Sequence, residues 1–224
     1  MRITRLRDEN GFTLMELLVA STITVIVLGS AVAMTSQIQN GYRRQLEDSA
    51  AEQEGRYALE WIGRYVRGAA NNPTGVEETS CPGPGAVDVE PIQFDPDADG
   101  EDDDVRILTD ANPPDGLIGG PPGVCDQGNE DVTISLDNNA NTITFLDNNT
   151  GGAITTRTDT VIEGLEFIFR NAAHAEIDKT QMNAADNVVY IETRITIRSR
   201  TIDPASGAPA TRTLSQEIKI RSRG

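Results

Sequence analysis

The residue pattern with the clearest chemical meaning is an acidic run, D-P-D-A-D-G-E-D-D-D, at residues 95–104. It matches D-x-D-x-D-G-x-x-D, the opening of calcium-binding loops, in which glycine allows a sharp turn and alternate carboxylates converge on one ion. Such an ion takes roughly 6–8 oxygen ligands. We therefore predict a Ca²⁺ site with these ligands: the side chains of Asp95, Asp97 and Asp99, the backbone carbonyl of Glu101, and Asp103 directly or through a water molecule.

Two features separate this run from the calcium loop of helix–loop–helix proteins. Its twelfth position is Arg106, where those loops carry a bidentate glutamate, and the sequence around it predicts no flanking helices. The alternative is a solvated acidic loop that holds no ion. Repulsion between closely spaced carboxylates favours a bound cation.

A second position with chemical meaning is Glu16, the only ionisable side chain in residues 12–36. That stretch is apolar and long enough to span a bilayer, which takes about 20 helical residues. It is too long for the apolar region of a cleaved secretory signal, and no A-x-A site follows it. A carboxylate inside a membrane helix is costly and therefore needs a partner. Three basic residues ahead of it predict a cytoplasmic amino terminus and an external carboxyl-terminal part: Arg2, Arg5 and Arg7.

Residues 11–20, GFTLMELLVA, resemble the processing motif of type IV prepilins and of type II secretion pseudopilins. The resemblance implies that a prepilin peptidase cleaves between Gly11 and Phe12 and methylates the new terminal amine of Phe12. Glu16 then becomes the fifth residue of the mature chain. Its carboxylate would pair with the Phe12 amine of a neighbouring copy or sister subunit and so support assembly. The alternative is an ordinary single-pass anchor with an incidental glutamate.

A second segment, EGRYALEWIGR at residues 54–64, resembles PilW-type minor pilins, and residues 161–167 do so more weakly. J-type pseudopilins of type II secretion share this general layout. The resemblance implies a minor pilin that joins other minor pilins and the major pilin and helps to initiate or cap pilus assembly. The inner-membrane assembly platform and its ATPase would then extend the fibre.

The resemblance also implies a location in the bacterial inner membrane, in contact with lipid, with a periplasmic carboxyl-terminal domain, before transfer to the pilus at the cell surface. Two alternatives stay open: a J-type pseudopilin, and a membrane-anchored, calcium-dependent adhesin or enzyme. We predict no enzymatic activity, because no nucleophile elbow is visible and the single histidine, His174, lies in a polar stretch typical of a loop.

The charge distribution excludes one class of partner. The chain has a formal net charge of −16, and residues 77–137 alone carry 17 acidic side chains against one arginine. Nucleic-acid binding requires a basic surface, so we predict no nucleic-acid partner.

Two cysteines, Cys81 and Cys125, follow the apolar stretch and would therefore lie outside the cytoplasm. An even pair in an oxidising compartment predicts a disulfide. It would close a loop of roughly 45 residues and stabilise the fold by about 3–4 kcal/mol. A metal site is a weaker interpretation, because neither cysteine has another Cys or His at ligand spacing.

The remaining pattern predicts the architecture. Residues 37–72 contain no proline, and a 3.6-residue period places apolar side chains on one face of a continuing helix: Ala58, Trp61, Ile62, Tyr65, Val66 and Ala69. Residues 132–136 and 142–146 flank a turn, and three later segments alternate with period two. The prediction is an α+β pilin fold, a long amino-terminal helix on an antiparallel sheet.

The predicted organisation has four parts. Residues 1–11 form the cleaved leader, residues 12–36 the transmembrane or fibre-core helix, and residues 37–72 its amphipathic half. Residues 73–224 form the external β domain, which divides into a disulfide-closed acidic loop (73–131) and the sheet (132–224).

Overall fold

A computed structural model describes residues 11–71, 91–110, 118–120, 126–149, 153–180, 184–202 and 206–221. The described chain contains a 55-residue helix, α1 (Leu14–Gly68), a short 3₁₀ turn (Ala185–Asn187) and the following strands: β1 (Ile92–Phe94), β2 (Asp104–Leu108), β3 (Asp131–Asp137), β4 (Thr142–Asp147), β5 (Thr155–Thr156), β6 (Ile162–Arg170), β7 (Tyr190–Ile202) and β8 (Pro209–Lys219). The chain divides into two compact units, Met1–Leu46 and Glu47–Gly224.

The first unit holds the amino-terminal part of α1, whose side chains are largely exposed and apolar. Phe12 is 90% exposed and Val25 68%. Length and composition make α1 a candidate membrane span. The hydroxyl of Thr22 donates to the carbonyl of Leu18 at 2.8 Å, and Ser21, Thr24, Ser30 and Thr35 bond to backbone carbonyls in the same way. These hydroxyls are thereby satisfied within the helix, as an apolar surrounding requires.

The second unit contains two antiparallel sheets among its described residues, where the sequence predicts one. The larger has the order β1-β2-β3-β4-β5, and the smaller has the order β6-β7-β8. The predicted hairpin is present as β3 and β4, paired from Val132 opposite Asp147 to Asp137 opposite Thr142. The carboxylate of Asp137 accepts the backbone N–H groups of Asn139 and Ala140 in the turn.

The acidic segment is part of the larger sheet. β1 pairs with β2, and β2 pairs with β3 from Asp104 opposite Ser135 to Leu108 opposite Asp131. The acidic run is therefore the connection between two paired strands, with its last residue, Asp104, at the start of β2.

Within the second unit, α1 packs on both sheets through the face predicted to be apolar. Ala58, Ile62 and Val66 are fully buried. The rings of Trp61 and Phe145 of β4 are 6.3 Å apart in an edge-to-face arrangement. At Gly55, an added Cβ atom would lie 2.8 Å from Cγ2 of Ile197 and 2.9 Å from Cδ1 of Leu214, on β7 and β8. A helix packed on antiparallel sheets confirms the predicted α+β class.

Candidate functional sites

The predicted cleavage position lies just ahead of α1. Gly11 and Phe12 are exposed and precede the first helical residue, Leu14. Among the described residues, no atom lies within 4 Å of the position where a Cβ atom of Gly11 would be.

Glu16 forms a reciprocal cap with Thr13. Its Oε2 atom accepts hydrogen bonds from the backbone N–H of Thr13 at 2.9 Å and from the Thr13 hydroxyl at 3.0 Å. The backbone N–H of Glu16 donates to Oγ1 of Thr13 at 3.3 Å. This is the capping box, which satisfies donors at the helix start that have no partner within the helix.

Thr13 is not among the residues predicted from the sequence to have a role. The signal was present, since T-x-x-E ahead of an apolar run is the sequence pattern of a capping box. The carboxylate of Glu16 thus has a structural role in the uncleaved chain that is separate from any charge pairing.

The acidic loop between β1 and β2 is organised around Asp95. Asp95 Oδ1 accepts the backbone N–H of Asp99 at 3.1 Å, and its Oδ2 accepts that of Gly100 at 3.0 Å. Asp95 and Gly100 have positive φ angles, +45° and +86°. Glycine adopts such a backbone conformation without steric cost, which suits the sharp turn of the motif.

The five predicted cation ligands do not form one group in this loop. One oxygen each from Asp95, Asp97 and Asp104 lies within 4.8 Å of the other two. Asp99, Glu101 and Asp103 form a second group of the same kind. Asp104, which the predicted ligand set leaves out, therefore belongs to the first group, together with two of the predicted ligands.

Asp104 has an unusual electrostatic environment. The residue is 2% exposed, and its Oδ1 atom has no hydrogen-bond partner among the described residues. Its Oδ2 accepts the backbone N–H of Asp97 at 3.3 Å. Burial, followed by repulsion from the Asp97 carboxylate, raises the pKa of Asp104 to about 7. Burial also raises the pKa of Asp103, whose Oδ2 accepts a bond from the Asn138 amide at 3.1 Å.

Arg106, which replaces the glutamate of helix–loop–helix calcium sites, has another partner. Its Nε and Nη2 atoms donate to the two carboxylate oxygens of Asp131 at 2.7 and 2.5 Å. Asp131 is fully buried, and its Oδ1 also accepts a bond from the Asn148 amide at 2.9 Å. Arg106 therefore neutralises a core carboxylate in the larger sheet.

Two other sequence predictions concern the cysteines and the histidine. Cys81 and Cys125 lie outside the described residues. His174 lies in a turn after β6, where its Nδ1 is 2.9 Å from a carboxylate oxygen of Glu217 and its ring stacks on Tyr190 at 4.2 Å. Its side chain is 55% exposed, which is typical of a surface contact.

Comparison with known proteins gives one match. Residues 6–32 match the family model described as the prokaryotic N-terminal methylation motif. No match was found among curated proteins, and none among solved structures. The motif supports a type IV pilin-like or pseudopilin protein, a class that is structural and typically non-enzymatic. It also implies processing by a prepilin peptidase, assembly with other pilins and anchoring in a membrane.

Proposed function

We propose that this protein is a minor pilin of a type IV pilus, cleaved before Phe12, methylated there, and incorporated into the fibre to help initiate or cap its assembly. The observation that carries the proposal is the position of Glu16 at the start of an exposed apolar helix, four residues beyond the amine that cleavage would create. Such a helix needs an apolar surrounding before and after assembly. Lipid supplies it in the membrane, and neighbouring pilin helices supply it in the fibre.

The carboxylate of Glu16 would favour transfer of the helix from the membrane into the fibre. In lipid the charge is costly, and among the described residues Thr13 of its own chain donates hydrogen bonds to it. In a fibre, the terminal amine of Phe12 from an adjacent subunit supplies an opposite charge at the same depth. Pairing the two would favour one axial register and would favour the fibre over the membrane.

The assignment to a pilus is supported by the resemblance of residues 54–64 to PilW-type minor pilins. In the folded chain this segment packs on both sheets: Gly55 approaches β7 and β8, and the ring of Trp61 lies against Phe145 of β4. A J-type pseudopilin of a type II secretion fibre is the second candidate, favoured by the same processing motif and the same order of helix and strands.

Cross-linking in intact membranes, followed by mass spectrometry of the joined chains, tests the proposal. A photoreactive residue at Val25, which is exposed on α1, would sample the helix neighbours directly. Links to minor and major pilins from a chain that begins with N-methyl-Phe12 are the expected result. Links to secretion pseudopilins would replace the pilus with the secretion fibre. Absence of any pilin-like partner would overturn both and favour an anchored adhesin.

A further inference from the structure

The acidic group Asp95, Asp97 and Asp104 lies outside the helix that the proposed function uses. Its three carboxylates come from two different elements, the β1–β2 connection and the first residue of β2. One oxygen of each lies within 4.8 Å of the others. Carboxylates at this separation repel one another when all three are ionised, and a cation between them would relieve that repulsion.

One carboxylate oxygen of Asp104, which has no hydrogen-bond partner among the described residues, also indicates a bound cation. Asp104 is 2% exposed, so water has little access to its carboxylate. The N–H of Asp97 occupies Oδ2 only, and Oδ1 is without a hydrogen-bond partner in the described part of the chain. A buried carboxylate oxygen without a partner is unfavourable, and a bound cation is a partner that would remove the cost.

We propose that Asp95, Asp97 and Asp104 bind one Ca²⁺ ion at the start of β2. All three ligand atoms are carboxylate oxygens, which suit a hard divalent cation. Oxygens on opposite sides of Ca²⁺ are about 4.6–5.2 Å apart, twice the usual bond length of 2.3–2.6 Å. Each pair of the three ligand oxygens lies within 4.8 Å, which is close enough for all three to reach one ion. The exposed side of Asp97 leaves room for water molecules to complete the coordination.

The second acidic group, Asp99, Glu101 and Asp103, lacks a buried carboxylate like that of Asp104, with an oxygen that has no hydrogen-bond partner among the described residues. Asp99 and Glu101 are exposed to solvent. The buried member, Asp103, already has a partner for its Oδ2 in the Asn138 amide at 3.1 Å. This group therefore serves as the comparison for the first.

Binding at the first group would stiffen a connection between the two sheets. The carbonyl of Asp102, in the same loop, accepts the backbone N–H of Phe167 of β6 at 2.8 Å. Phe167 is fully buried in the core. An ion that fixes the loop would therefore stabilise the contact of β6 with the larger sheet, and the whole β domain would resist unfolding more strongly.

The test uses the full-length protein in detergent micelles, freed of metal with a chelator and then titrated with CaCl₂. We expect one ion per chain by calorimetry and a rise in Tm of about 5 °C or more at a hundredfold excess over the dissociation constant. No binding at 10 mM Ca²⁺ would overturn the proposal, and a larger Tm rise with Mg²⁺ than with Ca²⁺ would overturn the choice of ion.

Matched variants separate the two acidic groups. Asp104→Asn and Asp97→Asn should each weaken binding by about tenfold or more, because the charge of the ligand set governs affinity. Asp103→Asn should leave the affinity within about twofold of wild type. In the presence of chelator, the Tm of Asp104→Asn should be no lower than that of wild type, which would show that the variant folds. Equal Ca²⁺ affinity in wild type and Asp104→Asn, or loss of binding in Asp103→Asn alone, would contradict the assigned ligands.

Discussion

The backbone nitrogen and the hydroxyl oxygen of Thr13 both donate hydrogen bonds to one atom, Oε2 of Glu16, at distances of 2.9 and 3.0 Å. The carboxylate therefore has partners before the chain is cleaved, although it lies at the start of an apolar helix. Cleavage after Gly11 would place a positive amine on Phe12, directly next to Thr13 in the sequence. The two roles of Glu16, capping and charge pairing, make different demands on its chemistry.

Replacing Glu16 by glutamine distinguishes these roles. Glutamine also forms a capping box, so the helix start is preserved, but the negative charge is lost. We expect Glu16→Gln to be processed at Gly11 normally and to incorporate into fibres about tenfold less than wild type, measured by immunoblots of sheared fibres. Glu16→Ala should show the same normal processing and the same loss of incorporation into fibres. Normal incorporation of Glu16→Gln together with a defect in Glu16→Ala would instead assign the capping role alone.

The close approach at Gly55 predicts a packing defect. Gly55→Ala places a methyl group 2.8 Å from Cγ2 of Ile197, an atom held close to the β7 backbone. We expect it to lower the free energy of unfolding by about 1–3 kcal/mol, because overpacking a core outweighs the gain in helix propensity. Fluorescence of Trp61, the single tryptophan, follows the unfolding.

Gly41→Ala is the matched control for that change, since no atom of the described residues lies within 4 Å of its added Cβ atom. It should leave the stability of the β domain unchanged. A destabilisation as large as that of Gly55→Ala would show that the approach to β7 is not the cause.

The ion pair of Arg106 and Asp131 predicts a non-additive effect. Arg106→Leu leaves the fully buried Asp131 carboxylate without its counter-charge and should destabilise the fold by about 3 kcal/mol. The double variant Arg106→Leu/Asp131→Leu should be less destabilised than the single one, as urea unfolding would show. Arg56→Ala breaks an ion pair with Glu52, and the side chain of Arg56 is 67% exposed. This change should lower the free energy of unfolding by about 0.5 kcal/mol or less. Equal losses in the single and double variants would contradict this account.

A pH dependence follows from Glu192 on the smaller sheet. Hydrogen bonds from Arg170 at 2.5 Å and from Arg194 at 2.7 Å lower the pKa of Glu192. Arg170 also faces Glu217, and Arg194 also faces Glu166.

Because the pKa of Glu192 in the folded state lies below its ordinary value of 4.5, its stabilisation of the fold is complete above pH 4.5 and is lost as the pH falls through the lowered pKa. Glu192→Gln should thus melt below wild type at pH 7, with a difference that narrows on acidification towards pH 3. A difference independent of pH would show that the charge of Glu192 is not responsible.

Features that depend on residues close together in the chain follow from the amino-acid sequence alone. The apolar stretch around Glu16, the T-x-x-E pattern and the processing motif lie within about 25 consecutive residues, and the helix face from Ala58 to Ala69 follows from a 3.6-residue period. The β3–β4 hairpin follows from two alternating segments and the turn between them. These signals are local, because backbone hydrogen bonds and one-sided burial act between near neighbours along the chain.

Contacts between residues far apart in the chain are seen in the folded structure and not in the sequence pattern. Folding divided the predicted sheet into two, paired Arg106 with Asp131 across β2 and β3, and brought Gly55 against Ile197. It also placed Asp103 and Asp104, neighbours in the acidic run, in different groups, with Asp104 as the first residue of β2. Which carboxylate is buried beside Asp95 and Asp97 depends on where β2 begins, and that is set by its pairing with β3.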